Sequence, residues 1–171
     1  PDPGYHEALR LSEWLQQAQD EAMALSTHVS PPGQSHRIEF VCEPALQQAT
    51  LLGDAKELQS ALSNLVSNAI RYTPAMGLIE VHALAQTDGA LLLQVKDSGM
   101  GIAPEHLSRL TERFYRVDRS RSRETGGTGL GLAIVKHVMQ RHGGSLLVSS
   151  VVGQGSCFSL SLPPQRWRKS D

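Results

Sequence analysis

The sequence predicts an α+β fold: a two-layer sandwich with one mixed sheet and helices on one face. Three observations predict it. Three segments repeat apolar residues every three or four positions, and several others alternate or run apolar at strand length. These segments do not follow one another in the regular strand–helix–strand order of a parallel, doubly wound sheet. With 171 residues, 40% hydrophobic and 19% charged, the chain can bury one core without disulfide or metal staples. One domain over 1–171 is therefore expected, with its core at about 5–163.

Residues 5–26 read as the first helix, with Ala8, Leu11, Leu15, Ala18, Ala22 and Leu25 on one face. Ser30-Pro31-Pro32-Gly33 stops it. His36 to Glu43 alternates as a strand, and Leu46 to Leu52 reads as its partner across Pro44. Asp54 is the expected N-cap of a second helix that runs to Tyr72, before Thr73-Pro74. Leu78 to Ala85 and Ala90 to Asp97 are strands joined at Thr87-Asp88-Gly89. Pro104 opens a short helical stretch, followed by an arginine-rich and then a glycine-rich segment. A third helix is expected over Gly129 to His142, ended by Gly143-Gly144. Ser145 to Val152 and Ser156 to Leu162 form a last hairpin, and the polar tail from Pro163 to Asp171 is expected to fray.

Composition narrows the function. Sixteen basic and 17 acidic residues leave a formal charge of −1, so no global field drives binding to nucleic acid or lipid. No apolar run approaches the roughly 20 residues of a membrane span. Cys42 and Cys157 lie in strand-like stretches and read as reduced core thiols of a cytosolic compartment. The chain opens Pro-Asp-Pro-Gly without a Met, so a fragment of a longer protein is expected. The seven histidines show no metal-ligand spacing.

Three constellations could carry chemistry. The second helix has an apolar stripe and, beside it, the row Glu57, Ser60, Asn64, Asn68 and Arg71. Asn is a poor helix former, so two of them four apart read either as solvated surface or as a row facing a ligand. An amide oxygen suits Mg²⁺ that carries phosphate, and Arg71 lies one turn on. Asp97-Ser98-Gly99-Met100-Gly101-Ile102 places a carboxylate at a strand end before two glycines. A buried carboxylate is costly without a partner, and a ligand amino group can supply one. Gly126 to Ala133 opens a helix with glycines, an anion-binding arrangement. It is not a P-loop, since no Gly-Lys-Ser/Thr follows, nor a Rossmann turn, since no strand precedes it. Between these lie Arg109, Arg113, Arg116, Arg119, Arg121 and Arg123 with Phe114 and Tyr115. Glu112, Asp118 and Glu124 interrupt the positive charge, so a mobile lid over phosphates fits better than a nucleic-acid patch.

In this order, Asn64-x-x-x-Asn68-Ala69, Asp97-x-Gly99-x-Gly101, Phe114-Tyr115-Arg116 and Gly127-x-Gly129-x-Gly131 resemble the N, G1, F and G2 boxes of sensor histidine kinase catalytic domains. That family shares a superfamily with gyrase, Hsp90 and MutL. The run from Leu110 to Asp118, with Gly127 to His137, is most similar to the phosphate-regulon sensor kinases. The resemblance implies a Bergerat-type ATP-binding fold with ATP and Mg²⁺ as cofactors. It implies that Asp97 accepts the adenine amino group and that Gly99, Gly101 and Ile102 pass the base. It implies that Asn68 is catalytic and holds the metal, with Asn64 in support, while Arg71 and Tyr72 face phosphates or ribose. Phe114 belongs to the lid, Arg116 approaches the γ-phosphate, and Thr128, Gly129, Leu130 and Gly131 wrap the phosphate tail.

The resemblance also implies partners: the dimerisation and phosphoacceptor domain of the same kinase and a cognate response regulator. No direct nucleic-acid contact is expected. It implies a cytoplasmic domain, monomeric as a fragment, whose parent is a homodimer in the bacterial inner membrane. The acceptor motif itself is not matched. His6-Glu7-Ala8-Leu9-Arg10 has one residue too many before Arg10, and no Pro follows. Three rival readings remain. A gyrase-like ATPase needs a Glu where Asn64 stands. An anti-sigma-type serine kinase shares the fold, though Phe114-Tyr115-Arg116 favours the histidine kinases. A catalytically silent nucleotide sensor would not need the intact boxes.

Overall fold

A computed structural model of the chain describes residues 7–107, 109–110 and 131–169. Its centre is a five-stranded mixed sheet in the order β2-β4-β5-β7-β6. The strands are β2 (Arg37–Cys42), β4 (Leu78–Ala85), β5 (Leu91–Asp97), β6 (Ser145–Val151) and β7 (Gly155–Leu162). β2 and β4 pair in parallel, and the other neighbours pair antiparallel. Alternation along each strand sorts the side chains. Phe40, Val81, Val95, Phe158 and Val148 form one cross-strand row, and Cys42, Ala83, Leu93, Leu160 and Leu146 the next. Both rows belong to the hydrophobic core or pack against it. The opposite face carries Val41, His82, Gln94, Ser159 and Leu147 in register.

Among the described residues three helices cover the core face: α1 (Leu11–Val29), α2 (Ala55–Tyr72) and α4 (Gly131–Arg141). A single turn, α3 (Pro104–Leu107), lies between β5 and α4. α2 packs between α1 and α4 and buries Leu58, Ala61, Leu62, Leu65, Val66, Ala69 and Ile70, the predicted stripe. Asp54 caps it, its carboxylate accepting from the Glu57 N–H at 3.0 Å. Trp14 of α1 donates its indole N–H to the Leu58 carbonyl at 2.9 Å, so even the largest core side chain is satisfied.

The expected helix over 5–26 is corrected at its start. Glu7–Arg10 is a strand, β1, and the helix begins at Leu11. β1 pairs antiparallel with β3 (Thr50–Gly53), and the Leu11 N–H is taken by the Ala49 carbonyl at 2.9 Å. Pairing to a distant strand overrides the local helical spacing that included Ala8. Residues 46–52 are likewise not the partner of β2. Pro44–Leu46 is a 3-10 turn, and β3 pairs with β1 and β8 (Trp167–Arg168) in a second, three-stranded sheet. The tail does not fray up to Lys169: Trp167 pairs with Leu51 and donates its indole N–H to the Gly89 carbonyl at 2.9 Å. Cys42 and Cys157 are free and half-buried, and only Cys42 faces the core. Among the described residues no helix is long and apolar enough to cross a membrane.

Candidate functional site

Asp97 is the last residue of β5 and shares the parity of Leu91, Leu93 and Val95. Alternation therefore turns its carboxylate to the helix-covered face, at the end of the core rows, between Ile79 and Ser156. Oδ1 accepts the Gly99 N–H at 2.9 Å and the Ser156 N–H at 3.3 Å. Burial pushes this carboxyl above the usual Asp range, and the two backbone bonds partly oppose the shift. Both bonds go to one oxygen, so the other retains its acceptor capacity.

The glycines after Asp97 are required by the protein's own backbone. A Cβ on Gly99 would stand 2.6 Å from the Tyr72 carbonyl oxygen, at the end of α2. Gly101 has φ +75°, and a Cβ there would collide with the Val151 carbonyl of the β6–β7 hairpin. The expectation that these glycines serve the passage of a base is thus supplemented by a packing reason that needs no ligand. The turn is pinned further. Ile102 is half-buried against the core and donates its N–H to Ser150 Oγ at 2.7 Å. The Gly153 N–H reaches the Met100 carbonyl at 2.7 Å.

The polar row of α2 faces α4. Asn64 donates its amide to the Ser60 carbonyl at 2.8 Å, while its Oδ1 is turned to Gly131. One end of the row meets the other end of α4, where Arg141 donates to Glu57 at 3.1 Å. Burial, and secondarily Asp54, pushes the Glu57 carboxyl up, while His142 and His137 oppose the shift. His142 is fully buried. Its Nδ1–H donates to the Val138 carbonyl at 2.8 Å, and its Nε2 accepts the Asp54 N–H at 3.0 Å. This histidine ties the C-terminal end of α4 to the capped start of α2.

Asn68, Arg71 and Tyr72 follow on α2, the first two half-buried on its polar side, the last in the turn that meets Gly99. Asn64, Asn68, Arg71, Tyr72, Asp97, Gly99, Gly101, Ile102 and Gly131 are thus placed along α2 and the turn beside it. Phe114, Arg116, Thr128, Gly129 and Leu130, the arginine-rich segment and His6 lie outside the described residues. Sequence reading missed Ser156, Gly155 and His142. Gly155 carries a signal, since it sits in a hairpin turn, and here its φ of +137° lets Ser156 reach Asp97. Ser156 and His142 carry none, because their partners are 59 and 88 positions away.

Residues 53–166 match the family model described as histidine kinase-, DNA gyrase B-, and HSP90-like ATPase. The phosphate regulon sensor protein PhoR of Pseudomonas aeruginosa is 49% identical over 162 residues, covering 95% of this chain and 34% of that protein. The sensor-like histidine kinase SenX3 of Mycobacterium tuberculosis is 50% identical over 113 residues, 66% of this chain and 27% of that protein. The chain therefore spans about a third of the length of these relatives or less. The mycobacterial sensor histidine kinase MprB superposes with a TM-score of 0.76 at 27% identity, covering 92% of this chain and 97% of that one. Full-length ShkA in complex with AMPPNP gives the same TM-score and identity, over 92% of this chain and 31% of that one. Motif order, sheet topology and these likenesses agree: the chain belongs to the histidine kinase-, DNA gyrase B- and Hsp90-like ATPase family, as an ATP-binding catalytic domain of the sensor histidine kinase kind.

Proposed function

We propose that this domain binds Mg-ATP along α2 and transfers the γ-phosphate to a histidine on a separate dimerisation and phosphoacceptor domain of its own kinase. The observation that carries the reading is the placement of Asp97. A half-buried carboxylate with one oxygen in reserve stands at one end of α2, and Gly131 stands against Asn64 eight residues back from Tyr72. At a rise of 1.5 Å per residue, those ends are about 12 Å apart, a span on the scale of a nucleotide.

In this reading the adenine amino group donates to Asp97, and the triphosphate points toward the start of α4. There Thr128, Gly129, Leu130 and Gly131 offer backbone N–H groups. Asn68, between the two ends, holds Mg²⁺ by its amide oxygen. Arg71, Tyr72 and Phe114 line the nucleotide, and Arg116 meets the γ-phosphate. The donor, the neutral amide of a half-buried Asn68, suits a hard cation that arrives with phosphate. The metal supplies charge neutralisation; the residues of this chain supply position, which is most of what phosphoryl transfer needs.

Asn64, whose amide N–H is donated to Ser60, is a neutral amide and no base for water. Slow hydrolysis and transfer to a partner domain follow. The likeness to the phosphate regulon sensor protein PhoR supports a phosphate-responsive two-component system. A response regulator would be the next acceptor, and the parent a homodimer in the inner membrane. The test incubates the domain and labelled ATP with and without the phosphoacceptor domain. Acid-labile label on that domain only is expected. Brisk hydrolysis by the domain alone would instead favour a gyrase-like ATPase, and an acid-stable product a serine kinase.

A further inference from the structure

β6 is an edge of the main sheet, with β7 as its strand neighbour. Among the described residues the backbone of Ser145–Ser149 is hydrogen-bonded to β7 and to nothing else. The far end of the strand is taken. Ser150 Oγ accepts the Ile102 N–H at 2.7 Å, and a Cβ on Gly101 would strike the Val151 carbonyl. Ser145–Ser149 therefore keeps unpaired backbone groups along its outer side.

Sheet edges are ordinarily blunted by charge, proline or a bulge. The opposite edge, β2, is blunted: it carries Arg37 and Glu39, ion-paired at 2.6 Å, and Glu43-Pro44 follows it. β6 has none of these devices. Its seven residues include no charge and no proline, and they pair with β7 residue for residue, without a bulge. Ser145, Leu147, Ser149 and Val151 are exposed on the open face, Leu147 by 51%. Leu146 and Val148 pack against the core on the other face.

The unblunted stretch is also self-complementary. Ser145-Leu146-Leu147-Val148-Ser149 reads hydroxyl, aliphatic, aliphatic, aliphatic, hydroxyl from either end. We propose that β6 is the docking edge for a second copy of this chain, strand against strand and antiparallel about a twofold axis at Leu147. Leu147 then meets its own copy on the open face, Leu146 meets Val148 on the helix face, and Ser145 meets Ser149 at either end. Each cross-strand pair matches in polarity, and no charge meets itself across the axis. Two five-stranded sheets join into one of ten strands, within the usual size. A charged peptide would find no counter-charge on this edge, so a neutral strand like β6 itself fits better. Five paired residues cover less than the roughly 1,000 Å² of a durable interface, so the contact is weak and a dilute fragment stays monomeric. It acts where two copies are held together, and tethering in the homodimeric parent would supply an effective concentration of about millimolar. That role rests on the proposed parent; the pairing itself does not.

The test follows wild type, Leu147→Lys and Val41→Lys by sedimentation equilibrium from about 10 µM to about 1 mM, with hydrogen exchange at both limits. Leu147 and Val41 are exposed on the open face at opposite edges, so both variants should keep the wild-type melting temperature. Wild type should dimerise toward the upper limit, equally at low and high salt, and gain amide protection within Ser145–Ser149 but not in β2. Leu147→Lys sets like charges opposite each other and should weaken association at least about tenfold. Val41→Lys should leave it unchanged. A chain monomeric throughout, a dimer indifferent to Leu147→Lys, or protection gained at β2 instead overturns the proposal. Loss of the dimer in both variants also overturns it, because the open faces then stack. If wild type stays monomeric while a synthetic peptide of residues 143–151 protects the edge, the occupant is a segment of another protein and the second copy is overturned. All measurements are made without nucleotide, so their failure leaves the reading of the ATP site standing.

Discussion

The side-chain oxygen of Asn64 faces the α-carbon of Gly131 so closely that a Cβ there would stand 2.9 Å from it. This contact sets the spacing between the helix that bears the asparagines and the helix that follows the glycine-rich box. The Asn64 amide is locked to Ser60 on its other side, so the oxygen has little room to retreat. Gly131→Ala should therefore cost about 1–3 kcal/mol, the scale of overpacking. Asn64→Ala in the same chain should return much of it, because the two positions share one contact. Urea unfolding of the single and double variants measures the coupling; strictly additive changes would show that the helices are spaced by something else.

Asp97→Asn should weaken ATP and ADP binding by about 1–3 kcal/mol, the range for a hydrogen bond to a charged group. It should also change how stability responds to pH. Burial raises this carboxyl, so folding favours its protonated form. The associated stability is complete below the ordinary Asp value of about 3.9 and is lost as pH rises through the raised folded-state value. The asparagine variant cannot ionise, so its stability relative to wild type should grow over that window. Thermal unfolding from pH 3 upward checks the sign, and a constant difference between the two proteins would contradict it.

Asn68→Ala should remove the Mg²⁺ dependence of nucleotide binding and leave the fold intact, because the side chain is half-buried on the polar side of α2. Titration of ATP with and without magnesium makes the comparison. Asn64→Ala should have a smaller effect on the magnesium dependence, since its amide is already bonded within the helix.

His142 is fully buried and hydrogen-bonded through both ring nitrogens, and a Cβ on Gly53 would stand 2.6 Å from its ring. His142→Ala leaves the Asp54 N–H and the Val138 carbonyl without this partner and should cost about 1–3 kcal/mol. Gly53→Ala should destabilise the wild-type chain, yet should be tolerated once His142 is Ala, because the space the ring occupied is then open. Chemical denaturation of the four proteins tests this. Equal cost of Gly53→Ala in both backgrounds would rule out the contact.

The sequence alone determined α2, both long hairpins of the main sheet and the boxes at Asn64–Asn68 and Asp97–Gly101. These rest on local physics. The apolar stripe repeats along one helix, Asp54 caps a helix three residues ahead of the N–H it binds, and turn residues separate alternating strands. What the tertiary structure decided depends on partners far away along the chain. Glu7–Arg10 has helical spacing but is a strand, because Thr50–Gly53 offers it hydrogen bonds 40 and more positions on. The tail is held because Trp167 finds Leu51 and Gly89. At the site, the row of polar residues on α2 was legible, but not that the Asn64 oxygen lies against Gly131 or that Glu57 pairs with Arg141. Nor was it legible that Ser156 holds Asp97. A motif fixes residue types and their spacing along one segment. Which oxygen is spent and which is kept in reserve depends on what packs against that segment, and only the assembled fold decides that.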